Sequence, residues 1–201
     1  MNVFKIAVIH SIEPERTLLA KTLSCASDYE FIQNRNIYEW ERLFHIDESQ
    51  IYCFQNQFLL MASSFIERIK SESENAAFIS NGAVFSEVLK LKSKMDEKTV
   101  GQYRPQEIEM IDNLLNITGR YAAHHYDLVI HVKTGKSANF DELSVRFYEK
   151  YHVAYNIYDA GNSVKDVFEN IIREVELPLV KPVEMAIYEA ERLVIFKTRK
   201  S

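Results

Sequence analysis

The segment His10-Ser-Ile-Glu-Pro-Glu-Arg-Thr17 holds residue types from which an anion site could be built. It follows a short apolar run and opens a helical pattern. A phosphate-binding loop of the form G-x-x-x-x-G-K-[ST] occupies that place. In this register His10 stands at the first glycine, Glu15 at the second, Arg16 at the lysine and Thr17 at the hydroxyl. Only the hydroxyl position agrees, so the context of strand, loop and helix carries the comparison. An unrelated strand-to-helix turn is the competing reading. The substitutions have physical consequences. Glycines let backbone N–H groups wrap a phosphate closely, whereas Pro14 has no N–H and a fixed dihedral. Glu13 and Glu15 put negative charge beside any polyphosphate. Arg16 attracts phosphate, but a planar fork does not replace a compact ammonium. The helix N-terminus keeps its partial positive charge. Weak nucleotide binding, or none, is expected of this loop.

Other residues could in principle carry chemistry. His124, His125 and His131 suggest a metal, but adjacent rings on a helix diverge by roughly 100°. No CxxC, HExxH or Asp-rich loop accompanies them. No metal site is expected. Cys25 and Cys53 form no CxxC and no disulfide framework, and read as two reduced, buried thiols. Trp40, with Tyr38 and Phe44, reads as core, with an exposed aromatic face the other reading.

The elements that would position these residues alternate between two periods. Val3 to Ile9 is a short, nearly continuous apolar run, the signature of a strand buried on both faces. A helical pattern follows from Arg16 to about Cys25. Tyr29 to Phe44 is mixed and rich in aromatics. A long helix is predicted from about Gln50 to Lys70, with Phe54, Phe58, Met61, Phe65 and Ile69 at helical spacing. Strands are predicted at 76–80, 127–132 and 153–158. Helices are predicted at 83–94, from Pro105 to about Ala123, at 140–151, and at 164–174 behind a Ser163 N-cap. This alternation argues a parallel sheet flanked by helices. The tail from Val175 is expected to hold a short helix and an extra strand at Leu193-Val-Ile-Phe196.

The 201 residues suit one domain with a sizeable core. Eleven tyrosines and twelve phenylalanines argue against disorder. A net charge of −5 without any Lys/Arg run excludes an evident nucleic-acid footprint. Phe4 to Ile9 is too short for a secretory h-region, and no run approaches a membrane span. A cytoplasmic protein is expected.

The order of several motifs resembles the deoxynucleoside kinase family and related P-loop kinases, over roughly residues 3 to 174. Phe54-Gln-Asn-Gln-Phe-Leu-Leu60 looks like the helix segment in which a glutamine reads the nucleobase. The resemblance makes Gln55 the base reader, with Gln57 the alternative, since a carboxamide offers both a donor and an acceptor. The family's arginine seven residues on is Ala62 here. Solvent-facing glutamines are the other reading. Ser80-Asn-Gly-Ala-Val-Phe-Ser-Glu87 resembles the strand-end motif whose acid and arginine precede Ser and an aromatic. Asn81 then stands at the general base and Gly82 at the arginine. Asparagine cannot take that proton near neutral pH. Asn81-Gly82 also reads as a plain turn. Tyr126-Asp-Leu-Val-Ile-His-Val132 is similar to the family's core strand, Pro-Asp-Leu-Val-Ile-Tyr-Leu. The lid that follows usually carries arginines, whereas Lys133 to Asp141 has only Lys133 and Lys136; Arg146 lies farther on and is expected to face solvent.

The resemblance implies a three-layer α/β/α fold with a central parallel sheet of about five strands. A kinase-like domain at 1–174 would carry a C-terminal extension at 175–201 packed on it. Arg16, Thr17, His10 and Lys133 are the phosphate-binding candidates. Three altered elements imply a degenerate relative that binds a nucleotide or a protein partner with little or no phosphoryl transfer. An active nucleoside kinase using ATP and magnesium through an unusual loop is the alternative. A scaffold with no nucleotide is a second one. A homodimer follows by analogy.

Overall fold

A computed structural model of the chain describes residues 4–10, 13–33, 35, 37–50, 53–97, 103–133, 138–160 and 163–198. Five strands form one sheet: β1 (Lys5–His10), β2 (Glu30–Ile32), β3 (Phe78–Asn81), β4 (Leu128–Lys133) and β5 (Tyr155–Asp159). Their order is β2-β3-β1-β4-β5, and every pair is parallel. The first strand of the sequence is therefore the middle strand of the sheet. Its Ile6, Ala7, Val8 and Ile9 have essentially no solvent exposure, which is why the run is apolar without alternation.

Two helical layers cover the sheet. Ala7 and Ile9 face one core with Phe78 and Val129, beneath α3 (Phe54–Ser73), α4 (Ser86–Glu97), α5 (Pro105–His125) and α6 (Ala138–Tyr151). Ile6 and Val8 face the other with Ile130 and Val132, beneath α1 (Glu13–Ser27), α7 (Val164–Val175) and α8 (Val183–Thr198). The short α2 (Ile37–Leu43) rests on α3. The expected three-layer α/β fold with five parallel strands is what forms.

Local signals place the helix ends. Pro105 opens α5, and Glu107 reaches back to the Arg104 N–H at 2.8 Å. Ser163 caps α7 reciprocally with Asp166. Where α5 crosses α6, a Cβ added at Gly119 would overlap the Tyr151 ring. Only a glycine lets that ring lie against the helix backbone.

Several expectations are corrected. Leu193 to Phe196 belongs to α8, a helix that buries Ala186 and Ala190 completely. A short apolar run cannot by itself separate strand from helix. The segment from Tyr29 conceals a strand, β2, only three residues long. Cys53 is exposed and Cys25 only half-buried, so neither is a core thiol. The first helix begins at Glu13, three residues ahead of the expected start at Arg16. Among the described residues no helix is long and apolar enough to cross a membrane.

Candidate functional site

In open parallel sheets, ligands gather outside the carboxyl ends of the strands. The register here aligns Val8 with Asn81, His10 with Val132, and Lys133 with Asp159. The carboxyl edge thus brings together the ends of β1, β3 and β4 with the start of α1.

Because α1 begins at Glu13, Arg16 and Thr17 lie within its first two turns. Pro14 fits there, since early helical N–H groups have no intrahelical acceptor. Five residues of the eight-residue segment compared with a phosphate loop, Glu13 to Thr17, are therefore helix. The side chains of His10 and Arg16 lie outside the described residues, as do residues 11 and 12.

Thr17 and Asn81, 64 residues apart, meet at this edge. The Asn81 carboxamide donates to the Thr17 hydroxyl at 2.9 Å. Asn81 ends β3 and is only 4 % exposed. Gly82 follows with φ at 97° and donates its N–H to the Val8 carbonyl at 2.8 Å. That left-handed backbone favours glycine, so the chain bends at Gly82 directly after Asn81 closes the strand. Chemically, the pair offers a hydroxyl and a carboxamide, neither of which takes a proton near neutral pH.

The other candidates are dispersed. Lys133 ends β4 half-buried, and its carbonyl accepts from Ala160 N–H at 2.7 Å. Residues 134–137, including Lys136, lie outside the described residues. Arg146 is exposed and lies 3.9 Å from Glu142 on its own helix, facing solvent as expected. Gln55 is exposed near the start of α3. Gln57 is half-buried, and its side-chain oxygen has no hydrogen-bond partner among the described residues. Of the two, Gln57 is the one with an unused acceptor turned inward.

Two buried polar groups beside this edge were not anticipated. Arg68 and Glu72, one turn apart on α3, form an ion pair at 3.5 Å beneath β3. A signal for them exists: both fall on the apolar stripe begun by Met61 and Phe65. Burial pushes the Glu72 carboxyl up, and Arg68 pulls it back down. Under β4, His131 is fully buried between Tyr148 and Asp141, with ring nitrogens 2.9 Å from each. These three tie β4 to α6, through Asp141 in the helix's first turn and Tyr148 in its last. His124 is exposed, and His125 stacks on Phe78. Among the described residues no group of three or more His, Cys, Asp or Glu side chains could hold a metal ion.

No protein-family model matches this chain, and no curated protein matches it. Solved structures do. Deoxyadenosine kinase from M. mycoides with bound dATP superposes with a TM-score of 0.63 at 16 % identity, covering 86 % of this chain and 99 % of that one. The same enzyme with bound dCTP gives 0.61 at 17 % identity, covering 86 % and 98 %. Identities this low speak for a shared fold alone: the five-stranded parallel α/β architecture is one this chain has in common with those deoxyadenosine kinase structures.

Proposed function

We propose that a chain folded like a deoxyadenosine kinase here works as a nucleoside- or nucleotide-binding protein with little or no phosphoryl transfer. The observation that carries this reading is the Asn81–Thr17 contact. The strand end that would supply a general base supplies a carboxamide, already donating to a hydroxyl at 2.9 Å. The early start of α1 adds support, because it removes backbone from any loop that could wrap phosphates. Phosphoryl transfer is almost entirely positioning and charge stabilisation, and both are weakened together. Thr17, Arg16, His10 and Lys133 remain the residues assigned to phosphate, and Gln57 or Gln55 to the base.

Calorimetry with dATP, dCTP, ATP and deoxyadenosine, each with and without magnesium, tests the reading. Binding without product in a coupled phosphoryl-transfer assay is expected. Robust magnesium-dependent turnover would instead establish the active-kinase alternative, with Arg16→Ala and Thr17→Ala then abolishing it. The absence of binding by any of these ligands would leave the scaffold reading.

We also propose that the chain forms a homodimer through α3 and α5. Leu59 and Ile66 on α3, and Met110 and Ile117 on α5, are large apolar side chains left exposed, each pair two turns apart on one helix face. Light scattering at micromolar concentration should return twice the chain mass; a monomer would refute it.

A further inference from the structure

Arg68 and Glu72 are charges in a place where apolar side chains would pack as well. Their side chains are 8 % and 0 % exposed. Desolvating two such ions offsets most of their attraction, so stability alone does not account for them. What they touch does. The Arg68 guanidinium donates to the carbonyls of Gly82 at 2.9 Å and Asn81 at 3.0 Å, and to the Ser80 hydroxyl. Ser80 donates onward to Glu72 at 3.0 Å. The Tyr126 hydroxyl donates to both Glu72 oxygens at 2.9 Å and accepts from the Val84 N–H at 3.0 Å. The backbone from Ser80 to Val84 is thus gripped from behind by one connected set of charge-assisted bonds.

We infer that Arg68, Glu72 and Tyr126 form a positioning bracket for the candidate site. They fix the strand end at the height where the Asn81 carboxamide meets the Thr17 hydroxyl, and they act on a nucleoside or nucleotide without touching it. The clause about the ligand rests on the proposed function; the clause about Asn81 does not. Gly82 makes the bracket necessary. A glycine in a left-handed turn has more alternative conformations than any other residue, and the site residue Asn81 is its immediate neighbour.

The test uses two variants of the full chain. Arg68→Met with Glu72→Met removes both charges at similar volume, so no lone charge is left buried. Tyr126→Phe removes one hydroxyl and keeps the ring, and it carries the test should the double variant not fold. The first readout is the side-chain NH2 resonance pair of Asn81 and the hydrogen exchange of the Val84 amide. The second is dATP affinity by calorimetry. The expected result is displaced Asn81 resonances, faster Val84 exchange, and affinity reduced about tenfold, the equivalent of one well-aligned hydrogen bond. A purely structural role would lower the unfolding midpoint and leave the Asn81 resonances of the folded protein unchanged, which would overturn the inference. Displaced resonances with unaltered affinity would overturn it as well. If the wild type binds none of the ligands, the proposed function fails on its own, and the Asn81 and Val84 signals still decide whether the bracket exists.

Discussion

At the scale of single residues, the chemistry of the carboxyl edge comes down to what Asn81 and Thr17 can exchange. Thr17→Val keeps the shape of the side chain and deletes the acceptor of the Asn81 bond. It should cost about 1 kcal/mol in urea unfolding and weaken dATP by a similar factor. A loss in stability with no loss in affinity would detach this contact from the ligand site. The His131 cluster behaves differently, because it is sealed from solvent. Asp141→Ala strands a buried ring nitrogen that now sits 2.9 Å from the carboxylate. The expected destabilisation is about 2–4 kcal/mol, read from the same denaturation curves. Asn81 and Thr17 stand out in the sequence by their motif positions, and the structure brings the two side chains together. Asp141 and Tyr148 do not stand out, since the partners of a buried histidine come from another element and no local pattern announces them. Arg68 and Glu72 lay between these cases. Their helical spacing was visible, but charges on an apolar stripe read as an interruption of the pattern until the strand end beneath them is known.

At the scale of elements, the sequence was most informative where one element is buried on both faces. β1 and β4 read as short, largely apolar runs without alternation, and the long helices as stripes. β2 escaped because three residues are too few for a period, and α8 was misread where an apolar quartet mimics a strand. Close approaches were invisible for another reason: they depend on what lies opposite. Gly119 is the example. Gly119→Ala improves helix propensity by about 1 kcal/mol but drives a methyl into the Tyr151 ring. Overpacking of that kind costs about 1–3 kcal/mol, so a net loss is expected. The same substitution in a Tyr151→Leu background should be neutral or stabilising, and a double-mutant cycle by chemical denaturation separates the two terms. A loss of equal size in both backgrounds would refute the steric account.

At the scale of the whole molecule, the fold class followed from the alternation of strands and helices, while the strand order required the structure. The polar seam behind β3 sets how that fold responds to acid. Burial, helped by Lys5 and opposed by Asp127, lowers the His125 pKa to about 4 from 6.5. Tyr121, Tyr126 and Glu72 also face the ring. The folded protein therefore binds fewer protons there than the unfolded chain between pH 4 and 6.5. The stabilisation is complete above pH 6.5 and is lost as the pH falls through that window. Glu72, with its carboxyl raised, acts with the opposite sign. Comparing the wild type with His125→Phe isolates the histidine: the variant should lose less stability between pH 7 and pH 4.5, by on the order of 2 kcal/mol, a figure reduced for partial solvent access. Parallel pH profiles would exclude the effect. The central position of β1 has a separate consequence, in time. Asp127 holds the N–H groups of Phe4 and Lys5 across more than 120 residues of chain, and β4 follows it directly. On a ribosome adding about 5–20 residues per second, the first strand waits roughly 6–25 s for its partner to be synthesised. Until then one edge of the sheet's central strand is open, and that interval, rather than the finished fold, is when the chain most needs a chaperone.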